Sequence, residues 1–161
     1  MAGVERAQGL AAVADSQAQE VALRAASAGF LAVAAGVARV RNAITGIQGG
    51  LGSLAGSIGE ATKATAAVPN EATPQETIAG LAPVQSAVDA VRDAATGAIT
   101  GVGEAQQLVA VVLQGGQPGP LLQALEAIKQ VLVLVVARTG GARQAVEGAI
   151  AQARQLGSSG N

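Results

Sequence analysis

Val33-Ala-Ala-Gly-Val37-Ala-Arg-Val40-Arg-Asn-Ala-Ile44-Thr-Gly-Ile47-Gln-Gly-Gly-Leu51-Gly-Ser-Leu54-Ala-Gly-Ser-Ile58 places its large aliphatic side chains at alternating steps of four and three. No other large apolar residue falls between them. A repeat of about 3.5 residues sets them on one narrow stripe of an α-helix, the seam of a helix packed along a partner. The stretch predicts a long helix over residues 31–67.

Downstream, Val68-Pro69-Asn70-Glu71-Ala72 reads as a loop, and Thr73-Pro74-Gln75-Glu76 as the opening of a helix over 74–114. The Thr73 hydroxyl can accept from the Glu76 amide while Glu76 reaches back to the amide of Thr73. Pro74 occupies the first helical position, where a missing N–H costs nothing. The stripe of this helix runs through Leu81, Val84, Val88, Val91, Ala95, Ile99, Val102, Val109 and Val112, widening towards its end. Pro83 lies inside it and predicts a kink or local break near residue 80. Gly115-Gly-Gln-Pro-Gly-Pro120 ends it. A last helix over 120–156 carries Leu121, Leu125, Ile128, Leu132, Val135, Val146, Ile150 and Leu156, with a weak point at Gly140-Gly141. Residues 157–161 read as a disordered tail.

Upstream, the stripe of a helix over 3–27 is mostly alanine: Val4, Ala7, Ala11, Ala14, Ala18, Val21 and Ala25. Such a face approaches a neighbour closely but removes little apolar area from water. Ser27-Ala28-Gly29-Phe30 is a joint into the seam helix, unless the two helices run on as one. Short connections favour antiparallel neighbours. The expectation is an all-α, elongated, up-down four-helix bundle with small-residue faces, one domain over residues 1–156.

Composition excludes much chemistry. The 161 residues are 50% hydrophobic and 13% charged, with 38 Ala, 22 Gly, one Phe and no Trp, Tyr, His or Cys. No imidazole, thiolate, Cys/His zinc site or disulfide exists, and no aromatic platform for bases. Net charge is −1 without a basic stripe, which argues against nucleic acid. Asp89 and Asp93 share a helix face, but no second acidic pair completes a di-metal site, so a solvated surface pair is the simpler reading. Gly46–Gly52 and Gly97–Gly103 follow no strand and carry no P-loop lysine, so neither reads as a phosphate loop. No catalytic, cofactor or metal residue is assigned, and the chain reads as non-enzymatic.

Two charge-free stretches, 105–125 and 42–59, are broken by Gly, Pro and polar residues, so neither reads as a transmembrane span. Residues 1–6 lack the pattern of a signal peptide, which points to a cytoplasmic protein.

Two features stand out as candidate contacts. Gly49, Gly52, Gly56 and Gly59 form a second stripe behind the seam. Together with Gly46 and Gly50 they cost roughly 6 kcal/mol relative to alanine in a helix interior, which something should offset. Either the alanine-faced first helix packs on this stripe, or the stripe is an intermolecular or lipid-facing surface, or the segment is broken or mobile. Val131-Leu-Val-Leu-Val-Val136 is apolar on every helical face. It reads as the buried centre of the bundle, with Val131 and Leu134 as an alternative oligomer contact.

The stretches Gly49-Gly-Leu-Gly-Ser-Leu-Ala-Gly-Ser-Ile-Gly-Glu-Ala-Thr-Lys-Ala-Thr-Ala-Ala-Val68 and Gln114-Gly-Gly-Gln-Pro-Gly-Pro-Leu-Leu122 resemble uncharacterised Ala/Gly-rich helical proteins of actinobacteria. That resemblance implies a source and no activity. The Trp and Tyr motifs of the small helical substrates of type VII secretion are impossible here, and granule-coating phasins share only the composition. The expected function is a helical interaction or scaffold protein, associating with itself as a homo-oligomer or with another helical protein. A peripheral lipid- or granule-coating protein and a non-classically secreted protein are the alternatives.

Overall fold

The structure, a computed structural model, describes residues 1–69, 72–114 and 119–158. Among these residues there are four helices: α1 (Ala2–Ser27), α2 (Leu31–Ala66), α3 (Pro74–Val112) and α4 (Gly119–Ser158). The all-α reading and the helix positions agree with the periodicity. The loop residues 70–71 and 115–118, and residues 159–161 of the expected tail, lie outside the described residues.

Local chemistry sets the boundaries. α1 closes with Gly29 at φ +81°, the Phe30 amide donating to the Ala25 carbonyl at 2.8 Å and the Gly29 amide to Ala26 at 3.1 Å. This paired return is a Schellman ending, which glycine adopts without a Cβ penalty. At α3 the capping box is complete: the Thr73 amide donates to Glu76 Oε2 at 2.8 Å and the Glu76 amide to Thr73 Oγ1 at 3.3 Å. The Thr73 amide, together with the Thr73 hydroxyl donating to the same carboxylate oxygen at 2.9 Å, favours the ionised form and holds Glu76 below its ordinary pKa, the backbone bond contributing most.

Three local expectations change. α3 runs unbroken through Pro83, which is exposed together with Ala79, so water can reach the carbonyl that proline leaves unbonded. α4 runs unbroken through Gly140 and Gly141, held on either side by buried Thr139 and Val146. It also extends to Ser158, past the expected end at 156, because Gly157 lies against Pro74 and Gln75 at the start of α3.

Contacts define a square. α1 packs on α2 and α4, and α3 packs on α2 and α4, with no close backbone approach across either diagonal. As the partner advances through Gly36, Ile47 and Gly50 of α2 to Val68 just after it, the α3 partner retreats in step through Val112, Gly101, Ala98 and Gly80. α3 and α4 are likewise antiparallel, with Gln106 bonded to Glu126 and Asp89 to Arg143. The seam is the core: Ile44, Leu51, Leu54, Leu125, Ile128 and Leu132 are fully buried, each stabilising the fold by roughly 1.5–3 kcal/mol. From α1 come Val4 and the fully buried alanines Ala7, Ala11, Ala14 and Ala18.

One mismatch of length organises the rest. α1 has 26 residues while α2, α3 and α4 have 36, 39 and 40. Asp15 lies beside Arg41, so counting back to Ala2 counts forward to Leu54 on α2, where the run of buried α2 residues stops. Gly3 lies beside Val131 of α4. Beyond those points the bundle has three helices, with a small second core of Val84, Val88 and Val146.

Candidate interaction site

Where α1 stops, a groove of about 340 Å³ opens between α2 and α4. Met1, Gly3 and Val4 form its roof and Val88 and Val91 of α3 its floor. Ile58, Ala61, Thr62 and Thr65 make the α2 wall, and Val135, Arg138, Thr139 and Ala142 the α4 wall. It exists because the apolar stripes of α2 and α4 continue after their common partner has ended.

The groove is more apolar than its threonines imply. Thr62 and Thr65 donate to the Ile58 and Ala61 carbonyls at 2.8 Å, and Thr139 donates to Val136 at 2.7 Å. Each hydroxyl is thus taken up by its own helix. Arg138, the charged side chain among the lining residues, makes no ion pair with the described residues.

A second depression, of about 410 Å³, lies along the α2–α3 pair. It joins Gly46 and Gly50 of α2 to Gly97 and Gly101 of α3. Each pair is spaced by four residues, one helical turn, and antiparallel register sets them opposite one another. The sequence shows both glycine clusters but not that they face each other.

The candidate glycine stripe lies elsewhere. Gly49, Gly52 and Gly56 are exposed and Gly59 half-buried, and a Cβ added at any of them meets nothing within 4 Å. α1 does not pack on this stripe. At about 100° per residue the stripe sits roughly a third of a turn around α2 from the seam, and Gly56 and Gly59 lie beyond the end of α1. The Val131–Val136 run also departs from its expected burial at the bundle centre. Only Leu132 is buried, while Val133 and Leu134 are 50% and 59% exposed. Six consecutive residues point all round a helix, and α1 covers only the edge near Val131. Leu134 does not line the groove; on α4 it lies one turn from Val131 and one turn from Arg138.

This exposure changes the membrane reading as well. An 18-residue window within α4 has a mean hydropathy of 1.6, with 28% of it buried. By length and composition α4 could cross a membrane; the expectation of no span rested on charge-free stretches alone.

Asp89 is engaged by Arg143, at 3.3 Å, and Arg143 also donates to Glu147 at 2.9 Å. These partners raise the Arg143 pKa, Glu147 through its hydrogen bond and Asp89 through charge. Asp93 is exposed, and no group of three or more acidic, His or Cys residues gathers among the described residues.

Fold and groove together define an antiparallel helical bundle that is four helices deep at one end and three at the other. The chain belongs to the family of unknown function DUF6244, whose model matches residues 72–158, the whole of α3 and α4. The floor and the α4 wall of the groove therefore lie in the family segment, and the α2 wall and roof outside it. No curated protein and no solved structure matches the chain.

Proposed function

We propose that this chain is a non-enzymatic helical interaction protein whose docking site is the groove below α1. One observation carries the reading. α2 continues for about three turns past the end of α1, and the apolar residues that would face a fourth helix there are uncovered. An amphipathic helix laid in this groove would restore the four-helix layout. Arg138 favours an occupant carrying a carboxylate beside its aliphatic stripe. A second copy of the chain is the simplest source, giving a homo-oligomer, and another helical protein is the alternative source. Gly59 and Leu134 adjoin the two walls and would widen the contact.

Light scattering from micromolar to millimolar concentration tests the reading, with Ala61→Glu as the probe of the groove. Wild type should associate and Ala61→Glu should remain monomeric at the same helicity. A wild-type chain that stays monomeric throughout would refute self-association, and equal association of both chains would move the contact off the groove.

The outward face of α4 favours a second reading, a peripheral protein that lays α4 on a lipid or granule surface. Its support is the hydropathy of a helix whose apolar window is only 28% buried. Co-sedimentation with anionic or neutral vesicles, reduced by Leu134→Glu, is the expected result. Vesicles that leave both chains in the supernatant would eliminate it.

A further inference from the structure

We propose that α1 is exchanged between two copies of this chain, residues 28–30 straightening so that α1 and α2 run on as one helix. The idea concerns the seat of α1 itself and stands whether or not the groove is occupied.

The joint permits it. Only three residues, Ala28-Gly29-Phe30, separate the helices, and none is proline. The turn depends on Gly29, the one described residue with positive φ, at +81°. Rotating that residue into the α region removes the turn, and nothing in Ala28 or Phe30 opposes a continuous helix.

The seat of α1 can be refilled. α1 touches only α2 and α4, through Val4 and a line of alanines, and is tied to α2 by a two-point ion pair. Arg41 Nε donates to Asp15 Oδ1 at 2.9 Å and Nη2 to Oδ2 at 3.1 Å. The same helix from a second copy would make the same contacts, as in any exchanged element. Small buried side chains also make α1 the helix that loses least apolar burial when it lifts off.

The exposed residues at the joint supply the reason for exchange. Phe30, the chain's one aromatic residue, is 63% exposed, and its neighbour Leu31 is 72% exposed. Leu23, two turns before, is 65% exposed. A helix turn facing water is normally polar, whereas this one presents three large apolar side chains. In the exchanged dimer the antiparallel register of Asp15 and Arg41 brings residue 28 of each copy beside residue 28 of the other. Phe30 and Leu31 then lie over the last turns of the second copy's α1, near its Leu23, and are withdrawn from water. Intramolecular docking over a short connection acts like a concentration of about millimolar, so this added burial competes with the closed form.

The test uses two hinge variants and one charge exchange, read by light scattering and native mass spectrometry. Gly29→Ala is strained in the closed turn and favoured in a straight helix. With two hinges per dimer the dissociation constant should fall by roughly a thousandfold. Leu31→Pro occupies the first position of α2, where proline gives up the bond from the Leu31 amide to the Gly29 carbonyl but keeps a helical φ in the closed turn, whereas in a continuous helix it also clashes with the preceding turn at both hinges of the dimer. It should hold the chain monomeric with helicity unchanged. Asp15→Arg and Arg41→Asp each place like charges within one chain. Mixed, they regain an opposite pair at both seats only by exchanging α1, so the heterodimer should dominate. Unchanged association of Gly29→Ala, or a merely statistical share of heterodimer in the mixture, would overturn the proposal. So would a dimer that survives Leu31→Pro; if that dimer is lost in Ala61→Glu, association is through the groove instead.

Discussion

Among the described residues Gly36 is the one glycine whose missing Cβ the packing demands, and Gly36→Ala should destabilise the bundle although alanine is the better helix former. A Cβ built there lies 2.7 and 2.8 Å from the two γ-carbons of Val112 and 3.3 Å from its Cβ, where ordinary carbon contacts are about 3.5–4.0 Å. The side chain in the way is short, branched at Cβ and stiff in a helix, so relief requires the end of α3 to move outward or Val112 to leave its preferred rotamer. Overpacking of this kind costs about 1–3 kcal/mol. The change returns about 1 kcal/mol of helix propensity. The net expectation is a loss of about 1 kcal/mol, lowering Tm by about 2–4 °C for a chain of this size. In a Val112→Ala background the γ-carbons are gone and the same Gly36→Ala change should become stabilising by a few tenths of a kcal/mol. The sign reversal is the signature of the contact. Circular dichroism during thermal and urea unfolding is the appropriate assay, since a chain without Trp or Tyr offers no useful intrinsic fluorescence. If Gly36→Ala stabilises in both backgrounds, the close approach of α2 and α3 at this end is refuted.

Other outcomes follow from the same geometry. Replacing Gly49, Gly52 and Gly56 with alanine should stabilise the monomer by about 0.5–1 kcal/mol each, since each faces open space; loss of association in the triple variant would make the stripe a contact between chains. Thr73→Ala should cost about 1 kcal/mol in urea unfolding, and an unchanged midpoint would show the capping box to be idle. Because Glu76 is held below its ordinary value of 4.5, its contribution is present above that pH and is lost as pH falls through its lower folded-state pKa. Carboxyl NMR should find Glu76 titrating below its ordinary value, and less so in Thr73→Ala. Leu51→Ala, at a fully buried site, should cost about 2–5 kcal/mol, whereas Leu134→Ala should stay within about 0.5 kcal/mol. Comparable losses at both positions would refute the assignment of Leu134 to the surface.

Helix by helix, the one-dimensional pattern carried the fold. Heptad spacing from Val33 to Ile58 marked α2, the Thr73–Glu76 box marked the start of α3, and Gly29 marked the joint, because each of these interactions spans only a few residues. The same local reading allowed a break at Pro83, where α3 in fact runs on with buried Val84 and Val88 beyond it. It also offered α1 as one of three covers or roles for Gly49, Gly52, Gly56 and Gly59, which α1 does not take, and read the Val131–Val136 run as the bundle centre, where only Leu132 is buried.

Those misreadings share a cause. Periodicity tells which face of a helix is apolar; it does not tell how far along the axis a partner extends. Leu132 and Leu134 are equally apolar in sequence, yet one is fully buried and the other exposed, because they lie about 200° apart on α4 and α1, ending beside Val131, does not reach round to the outer face. The groove has the same origin. Ile58, Val88 and Val135 come from three helices, and only the register of Asp15 with Arg41, Gly50 with Ala98 and Asp89 with Arg143 brings them level. The sequence by itself determined an aromatic-free chain of four amphipathic helices with small-residue faces. Tertiary structure decided that α1 falls short of its neighbours, because axial stagger is set by long-range pairing, and thereby where apolar surface is left uncovered.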